Sequence, residues 1–440
     1  MSARSPLSLL SLFYILICTA PAVSQTDAGA QTPTWLRLAF EQRTRYEHLT
    51  NPFRLNASGT EKHFLLRTRL KLEAGEENRP VRFLLELQDS RVFYEKEKLY
   101  SARTNINEID FLQAQLQFQS GNFPSRNIKI RLTVGRFTLD LGKRRLVARN
   151  NMRNTTNAFD GFSWTLAGDK QWTLHTFLTR PVVIDSYSPD TSGRRYFWGS
   201  YFESKHFPKF LLDVYYFGLH DVENSENPKK LTSLGGRLYR MPTSGAVDYE
   251  IESAVQSGKN GTANHTAWFF HGELGFSLNA TWQPRLFSHY DYASGDCDPH
   301  DGDSNQFNTL YGARNFEYPP TGIYGPIYRS NIDAPGAGLE FNSAERLKIT
   351  MSYRAFRLAS ARDIWVGSGL QDLTGKSGKS LGQNIEIRFR WQANSHLMIE
   401  SGYARFFKGS YLYLVRDSPH TGNSGFFFLS AEIKARLLPN

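Results

Sequence analysis

The chain has 440 residues, a formal net charge of +10 and an aromatic content of 14 %. Beyond its N-terminal stretch it holds no apolar run near the ~20 residues that a membrane-crossing helix needs. That excludes a helical membrane protein and leaves open a barrel, whose strands expose apolar side chains only at alternate positions.

The N-terminal stretch reads as an export signal. Arg4 supplies the positive region, Leu7 to Cys18 the apolar region, and Ala20, Ala22 and Ser24 the small residues for cleavage after Ser24. Residues 1–24 are thus set apart, 25–34 form a short periplasmic segment, and 35–440 form one domain. With Cys18 inside the signal, Cys297 has no partner and no internal disulfide forms. The basic excess fits anionic partners: lipopolysaccharide, an acidic polysaccharide or an acidic solute. Export argues against nucleic acid.

Strand signals follow at once. Leu36, Leu38 and Phe40 alternate with Arg37, Glu41, Arg43 and Arg45; further on, Phe64, Leu66, Leu70 and Leu72 alternate with His63, Arg67, Arg69, Lys71 and Glu73. A helix would scatter these charges, whereas a strand puts them on one side. The same reading gives strands near 35–47, 63–73, 81–89, 109–118, 128–136, 158–166, 171–179, 196–203 and 210–219. It continues at 231–239, 249–256, 265–276, 282–293, 336–341, 347–358, 382–392, 396–406 and 425–437. The total is about 18, an even number of roughly 10-residue segments.

Connections alternate between short turns (75–80, 167–170, 277–280, 342–346, 393–395) and long polar loops (48–62, 90–108, 138–157, 180–195, 294–335, 359–381, 408–424). One rim of short turns and one of long loops is what an up-and-down barrel requires. The expected fold is therefore all-β: a single antiparallel up-and-down transmembrane barrel with short periplasmic turns and long extracellular loops, in the outer membrane of a Gram-negative cell. Aromatic runs at Tyr215–Phe217, Trp268–Phe270 and Phe426–Phe428 are expected to form interfacial girdles.

The densest cationic stretch is Val134 to Gly161, where Arg136, Lys143, Arg144, Arg145, Arg149 and Arg153 precede Phe159-Asp160-Gly161. So many like charges repel unless solvated or facing an anion. Within it, Gly135-Arg136, Leu141-Gly142, Arg144-Arg145-Leu146, Arg149-Asn150-Asn151, Asn154-Thr155 and Ala158-Phe159-Asp160-Gly161 resemble the signature of the alginate-export outer-membrane porins. Ala293-Ser294-Gly295-Asp296, Leu381 to Glu386, and Gly402-Tyr403 through Leu412 extend the resemblance over nearly the whole exported chain. It departs at the end, Arg436 to Asn440, which lacks a terminal aromatic.

The resemblance implies a narrow, arginine-rich pore for an anionic uronate polymer. By motif position Arg136, Arg144, Arg145, Arg149 and Arg153 would be constriction residues, with Asp140 and Asp160 holding them. The strand alternation itself places Arg37, Arg43, Arg67, Arg69, Arg131, Arg388 and Arg390 toward the lumen, some paired with Glu41, Glu73, Glu86 or Glu386. A polyanion needs a wall that attracts it weakly at many points, and rings of Arg or Lys provide this. The guanidinium fork matches a carboxylate and stays charged.

No nucleotide-binding motif is present, so flow is expected to be passive, with a periplasmic secretion complex as a candidate partner. Gly375 to Ser380 has the wrong glycine spacing for a phosphate loop. Asp296, Asp298, Asp301 and Asp303 offer a candidate calcium loop, though not with helical calcium-loop spacing, and Cys297 and His300 lie beside them. No other cofactor is expected. The alternatives are a general anion-selective porin, a barrel hydrolase using His175, His265, His271 or His289 as base, and an adhesin.

Overall fold

The computed structural model describes residues 35–438, apart from 56, 58, 77–78, 94–101, 121–127, 169–170, 187–189, 314–317, 319–326, 344–345 and 420–421. The expected signal, the segment 25–34 and the last two residues lie outside the described residues.

Eighteen long antiparallel strands follow one another around the barrel. They are β1 Leu36–Thr50, β2 Thr60–Ala74, β3 Val81–Phe93, β4 Asn107–Ser120, β5 Ile128–Phe137 and β6 Phe159–Gly168. Next come β7 Trp172–Val183, β8 Arg195–Ser204, β9 Leu211–Asp221, β10 Lys229–Arg240, β11 Val247–Asn260 and β12 Ala263–Ser277. The last six are β13 Arg285–Ala293, β14 Ile332–Ser343, β15 Leu347–Arg357, β16 Ser380–Gln392, β17 Leu397–Lys408 and β18 Ser424–Arg436. The ladder closes where β1 pairs with β18, from Ala39 opposite Arg436 to Thr50 opposite Gly425. Closure leaves no strand edge with unpaired amides.

The two rims differ. Consecutive strands are separated by few residues on one side (74 to 81, 204 to 211, 277 to 285, 392 to 397), here the short-turn rim, and by more on the other (93 to 107, 137 to 159, 293 to 332, 357 to 380, 408 to 424), here the long-loop rim. The alternation is not strict. On the loop rim β11 and β12 are joined by Gly261 and Thr262 alone, in a hairpin that pairs Asn260 with Ala263. Gly261 has φ +62, a conformation this tight turn requires. Strand β13 begins at Arg285 rather than Trp282, because Trp282 and Gln283 have left-handed φ values of 69 and 41. Strand β14 starts earlier than its hydrophobic pattern implied and carries Pro335 inside it; the pairing to β15 skips from Asp333 to Gly336, where proline has no N–H to give.

Side chains alternate across the wall. On β11 Asp248, Glu250, Glu252 and Gln256 are buried inward, while Val247, Ile251 and Val255 are exposed outward. Outward residues on neighbouring strands, such as Leu178, Val214, Leu234, Trp268 and Leu286, form an apolar belt. Each aromatic run straddles the wall instead of forming a girdle. Tyr215, Phe217, Phe269, Phe426 and Phe428 are buried inside, and Tyr216, Trp268 and Phe427 face outward. A period of two allows nothing else.

Inside, the barrel has two halves. Toward the loop rim Phe159, Phe197, Phe217, Phe269, Phe356 and Phe406 from the wall pack with Leu141, Val147, Phe307, Trp365 and Tyr411 from the loops in one apolar core. Toward the turn rim the interior is charged and holds a cavity.

Candidate functional site: a cationic interior narrowed by one loop

The loop 138–158 leaves β5 and turns into the barrel. Leu139, Leu141, Leu146, Val147 and Ala148 are all buried, packed into the apolar core. Its tip turns at Gly142, φ +52, and Arg144, φ +63. A Cβ on Gly142 would also collide with the Tyr201 hydroxyl, so only glycine fits there. The loop then zips onto the long segment 294–331. Tyr311 N donates to Leu146 O at 2.9 Å, Ala148 N to Tyr311 O at 3.1 Å and Ala313 N to Arg144 O at 2.8 Å. These bonds satisfy backbone groups that would otherwise be buried without partners.

The returning half, Asn150–Thr156, is held by guanidinium groups from the wall. Arg43 donates to the carbonyls of Asn151 (2.6 Å), Met152 (3.2 Å) and Arg153 (2.9 Å) and to Asn154 Oδ1 (3.1 Å). Arg45 donates to Met152 O, and Arg67 to the carbonyls of Asn151 (2.8 Å) and Arg153 (3.3 Å). Arg69 reaches Thr156 Oγ1 at 2.6 Å. Arg43 and Arg67 stand directly opposite each other on β1 and β2, as do Glu41 and Arg69. Glu41 offsets part of the repulsion, at 2.7 Å from Arg67 and 3.2 Å from Arg69. Asn154, wholly buried, donates to the carbonyls of Leu66, Arg91 and Asn105 as well as accepting from Arg43. Charge-assisted bonds to this many carbonyls fix the loop's height in the barrel.

A second anchor lies across the lumen. Arg145, almost fully buried, forms ion pairs with Glu250 and Glu252 of β11. Arg237 joins the group at 3.0 Å from both Glu250 and Asp213. Arg149 pairs with Glu86, and Asp140 lies 3.6 Å from Arg144 and accepts from the Arg149 N–H at 3.1 Å. Burial pushes the Asp140 carboxyl above its ordinary range, against the pull of Arg144 and Arg149.

Beneath the loop lies a cavity of about 880 Å³. Sixteen Arg and Lys residues line it against nine Asp and Glu, a surplus of seven positive charges. Several of these cations are only partly covered: side-chain exposure is 48 % for Lys143, 33 % for Arg144, 54 % for Arg390 and 60 % for Lys434. Others are locked into the wall. Arg388 pairs with Glu400, Arg354 with Asp291 at 2.6 Å, and Arg285 with Asp248 and Glu273. Low-dielectric walls around a net positive interior focus its field on an entering anion.

Of the expected site residues, Arg67, Arg69, Arg144, Arg145, Arg149, Arg388 and Arg390 all border this cavity. Their roles differ, since Arg67, Arg69 and Arg145 are buried in loop anchors while Arg144 and Arg390 present charge to the space. Arg388 and Arg390 form their ion pairs with Glu400, while the buried Glu386 feels the charges of Arg388 and Arg354. Arg153 contributes its carbonyl to the anchor and does not border the cavity.

Arg136 and Asp160 stand elsewhere. They form a bidentate pair (2.8 and 3.1 Å) on the outward face, sharing the parity of Leu132 and Phe162. The glycine-bounded motif runs from the wall into the loop, so it crosses from one face to the other. The expectations missed Arg240, Arg285, Lys348 and Arg354, and the anchoring acids Glu250 and Glu252. Arg285, Lys348, Arg354, Glu250 and Glu252 share the inward parity of their strands, so their signal was present in the period-two pattern, whereas Arg240, the last residue of β10, has the parity of the outward Leu234 and carried no such signal.

The remaining motifs have local explanations. Among the described residues no three His, Cys, Asp or Glu groups stand together to hold a metal. Asp296, Asp298 and Asp301 each accept the N–H two residues on, at 3.2, 3.3 and 2.8 Å. Asp372 caps the 374–377 turn in the same manner, which holds its carboxyl well below the usual range. His271 is buried against Asp291 at 2.9 Å, and His265 lies 3.3 Å from Ser304 Oγ with no carboxylate touching its ring among the described residues.

An 18-strand antiparallel barrel with a loop folded inward and a surplus of cations inside is a channel of the porin kind. The sequence profile described as "Alginate export" matches residues 34–421, and the chain belongs to that family. Among curated proteins no relative matches. Solved structures share the fold at low identity. Pseudomonas aeruginosa OccK3 (OpdO) superposes with a TM-score of 0.60 and 15 % identity over 91 % of this chain and 96 % of that one. P. aeruginosa OccD3 (OpdP) gives 0.60 and 11 % over 93 % of each. Acinetobacter baumannii OccAB4 gives 0.61 and 9 % over 93 % of this chain and all of that one.

Proposed function

We propose that this protein is an outer-membrane channel passing an anionic, alginate-like polyuronate by passive flow through its cationic interior. The apolar outward belt lies in the bilayer, the short-turn rim faces the periplasm, and the loop rim faces outward. The observation that carries this reading is the surplus of seven cations bordering the cavity, several of them part-exposed within a family of alginate exporters. Each carboxylate of the polymer would exchange water for a guanidinium or ammonium, then pass to the next. Binding at many weak sites favours entry without blocking exit.

A general anion porin for small acidic solutes is the second reading. The apolar core filling the loop-rim half of the lumen favours it, because that packing leaves less room for a polymer than the cavity below.

Planar-bilayer recording tests both. The polyuronate reading expects anion-selective conductance that oligo-uronates block more strongly as they lengthen. Block independent of oligomer length would favour the small-solute porin, and cation selectivity would refute both.

A further inference from the structure

The outward face carries a row of charge that the channel does not use. Cross-strand partners in an antiparallel ladder point to the same face. Following the register from Arg136, its partner is Asp160, whose next partner is Arg180. On the following strands Tyr196 faces His220, His220 faces Lys230, Lys230 faces Lys259, and Lys259 faces Asn264. Each shares the parity of an exposed apolar residue on its own strand, such as Leu178, Tyr216, Leu234 and Val255. The row thus lies outside the barrel, at the loop-rim edge of the apolar belt.

Its charge is unbalanced. Asp160 is engaged by Arg136. Arg180 donates to Gly193 O at 2.9 Å and lies over the Tyr196 ring at 5.8 Å, and among the described residues no carboxylate pairs with it. Lys230 and Lys259 sit directly opposite each other, both exposed; among the described residues the one polar contact of Lys259 is with the neutral Asn264, and the row ends in Asp303, which accepts from Asn264 at 3.3 Å and leaves the cations in excess. Like charges opposed across a ladder repel, so a bridging anion would stabilise the pair. With strands about 4.8 Å apart, Arg180 to Lys259 spans on the order of 19 Å, room for more than one phosphate.

We propose that this row, centred on Arg180, Lys230 and Lys259, is a docking strip for the phosphorylated headgroup of a glycolipid in the leaflet at the loop rim. Two features argue for a lipid. The cations border the apolar belt, so acyl chains would lie along Leu178, Leu234 and Val255 while phosphates meet the ammonium and guanidinium groups. The strip also faces away from the lumen, where a transported solute does not pass. This inference rests on the reading that the barrel spans a bilayer with its loop rim outermost.

The test uses the full-length barrel purified in neutral detergent. It is incubated with a diglucosamine lipid bearing two phosphates, with the same lipid dephosphorylated, or with inorganic phosphate. Bound lipid is counted by native mass spectrometry. Wild type is expected to retain the diphosphorylated lipid at least about tenfold better than the dephosphorylated one, and inorganic phosphate is expected neither to bind nor to compete at equal concentration.

Arg180→Ser with Lys230→Ser and Lys259→Ser is expected to abolish the preference, and Lys230→Arg with Lys259→Arg to keep it. Equal retention of the two lipids by wild type, which needs no variant to fold, would overturn the proposal. So would an unchanged preference in the triple variant, or competition by inorganic phosphate. Conductance recorded on the same samples keeps the two readings apart, since loss of the strip leaves anion flow intact.

Discussion

The Arg43 guanidinium on β1 donates to the Asn151 carbonyl at 2.6 Å, joining residues 108 positions apart and pinning the inward loop to the barrel wall. Three further contacts run from the same side chain to Met152, Arg153 and Asn154. The arginines nearest the narrowing thus divide into those that hold the loop and those that face the passage.

Arg43→Ala should release the loop's returning half. Several charge-assisted bonds disappear and buried carbonyls lose their donor, a cost of roughly 3 kcal/mol. Expected outcomes are a lower urea midpoint in micelles and a larger, noisier single-channel conductance. Lys at this position should restore little, because one ammonium cannot reach the same set of carbonyls. Conductance indistinguishable from wild type would contradict the loop's role as the narrowing.

Arg145→Ala leaves Glu250 and Glu252 buried with one cation fewer. Removing one member of such a group typically costs about 3–5 kcal/mol. The double variant Glu250→Gln with Glu252→Gln, measured with and without Arg145→Ala in a thermodynamic cycle, should show strong coupling. Additive effects would mean that the anchor does not exist in the membrane.

Lys143, Arg144 and Arg390 present part-exposed charge to the cavity, so substituting all three by Ser should weaken block by an oligo-uronate about tenfold, equivalent to ~1.4 kcal/mol. The fold should be unaffected, since the apolar part of the loop remains packed; heat-modified mobility on gels checks this. Unchanged block would move recognition away from these residues.

Asp190, on a loop at the rim, has its carboxyl pushed up to about 6 by burial, with Asp110 adding to the effect. A carboxyl raised on folding is protonated in the native state where the unfolded chain has already lost its proton. Its contribution is therefore full below the unfolded value near 4 and is lost as pH rises through about 6. Asp190→Asn should flatten that part of the stability profile and make the protein relatively more stable at pH 7. Melting temperatures of the pair measured between pH 4 and 8 provide the check, and parallel profiles would refute it.

The strands and their faces were legible because a strand's side chains alternate with an invariant period, and β2 shows this in nearly every residue. The basic stretch around Arg145 and its family resemblance were legible for the same local reason: both are written in consecutive residues. The roles within that stretch were not. Arg136 and Arg145 look alike in sequence, yet one pairs with Asp160 on the outer face and the other with Glu250 inside. What separates them is the chain's passage from wall to loop at Phe137, which no periodic pattern marks. The aromatic runs failed similarly, because their chemistry suits a girdle or a core and only the wall's geometry decides.

By itself, then, the sequence determined a closed strand-built wall with charge on one side, since period-two patterning and turn residues act over a few positions. The tertiary structure decided which cations face the passage and which hold the loop. That depends on which acids and carbonyls arrive from strands and loops a hundred residues away, as Glu250 does for Arg145 and Asn151 for Arg43. A guanidinium's availability is set by its nearest counter-charge, and in a barrel that neighbour is chosen by ring closure and loop descent rather than by proximity along the chain.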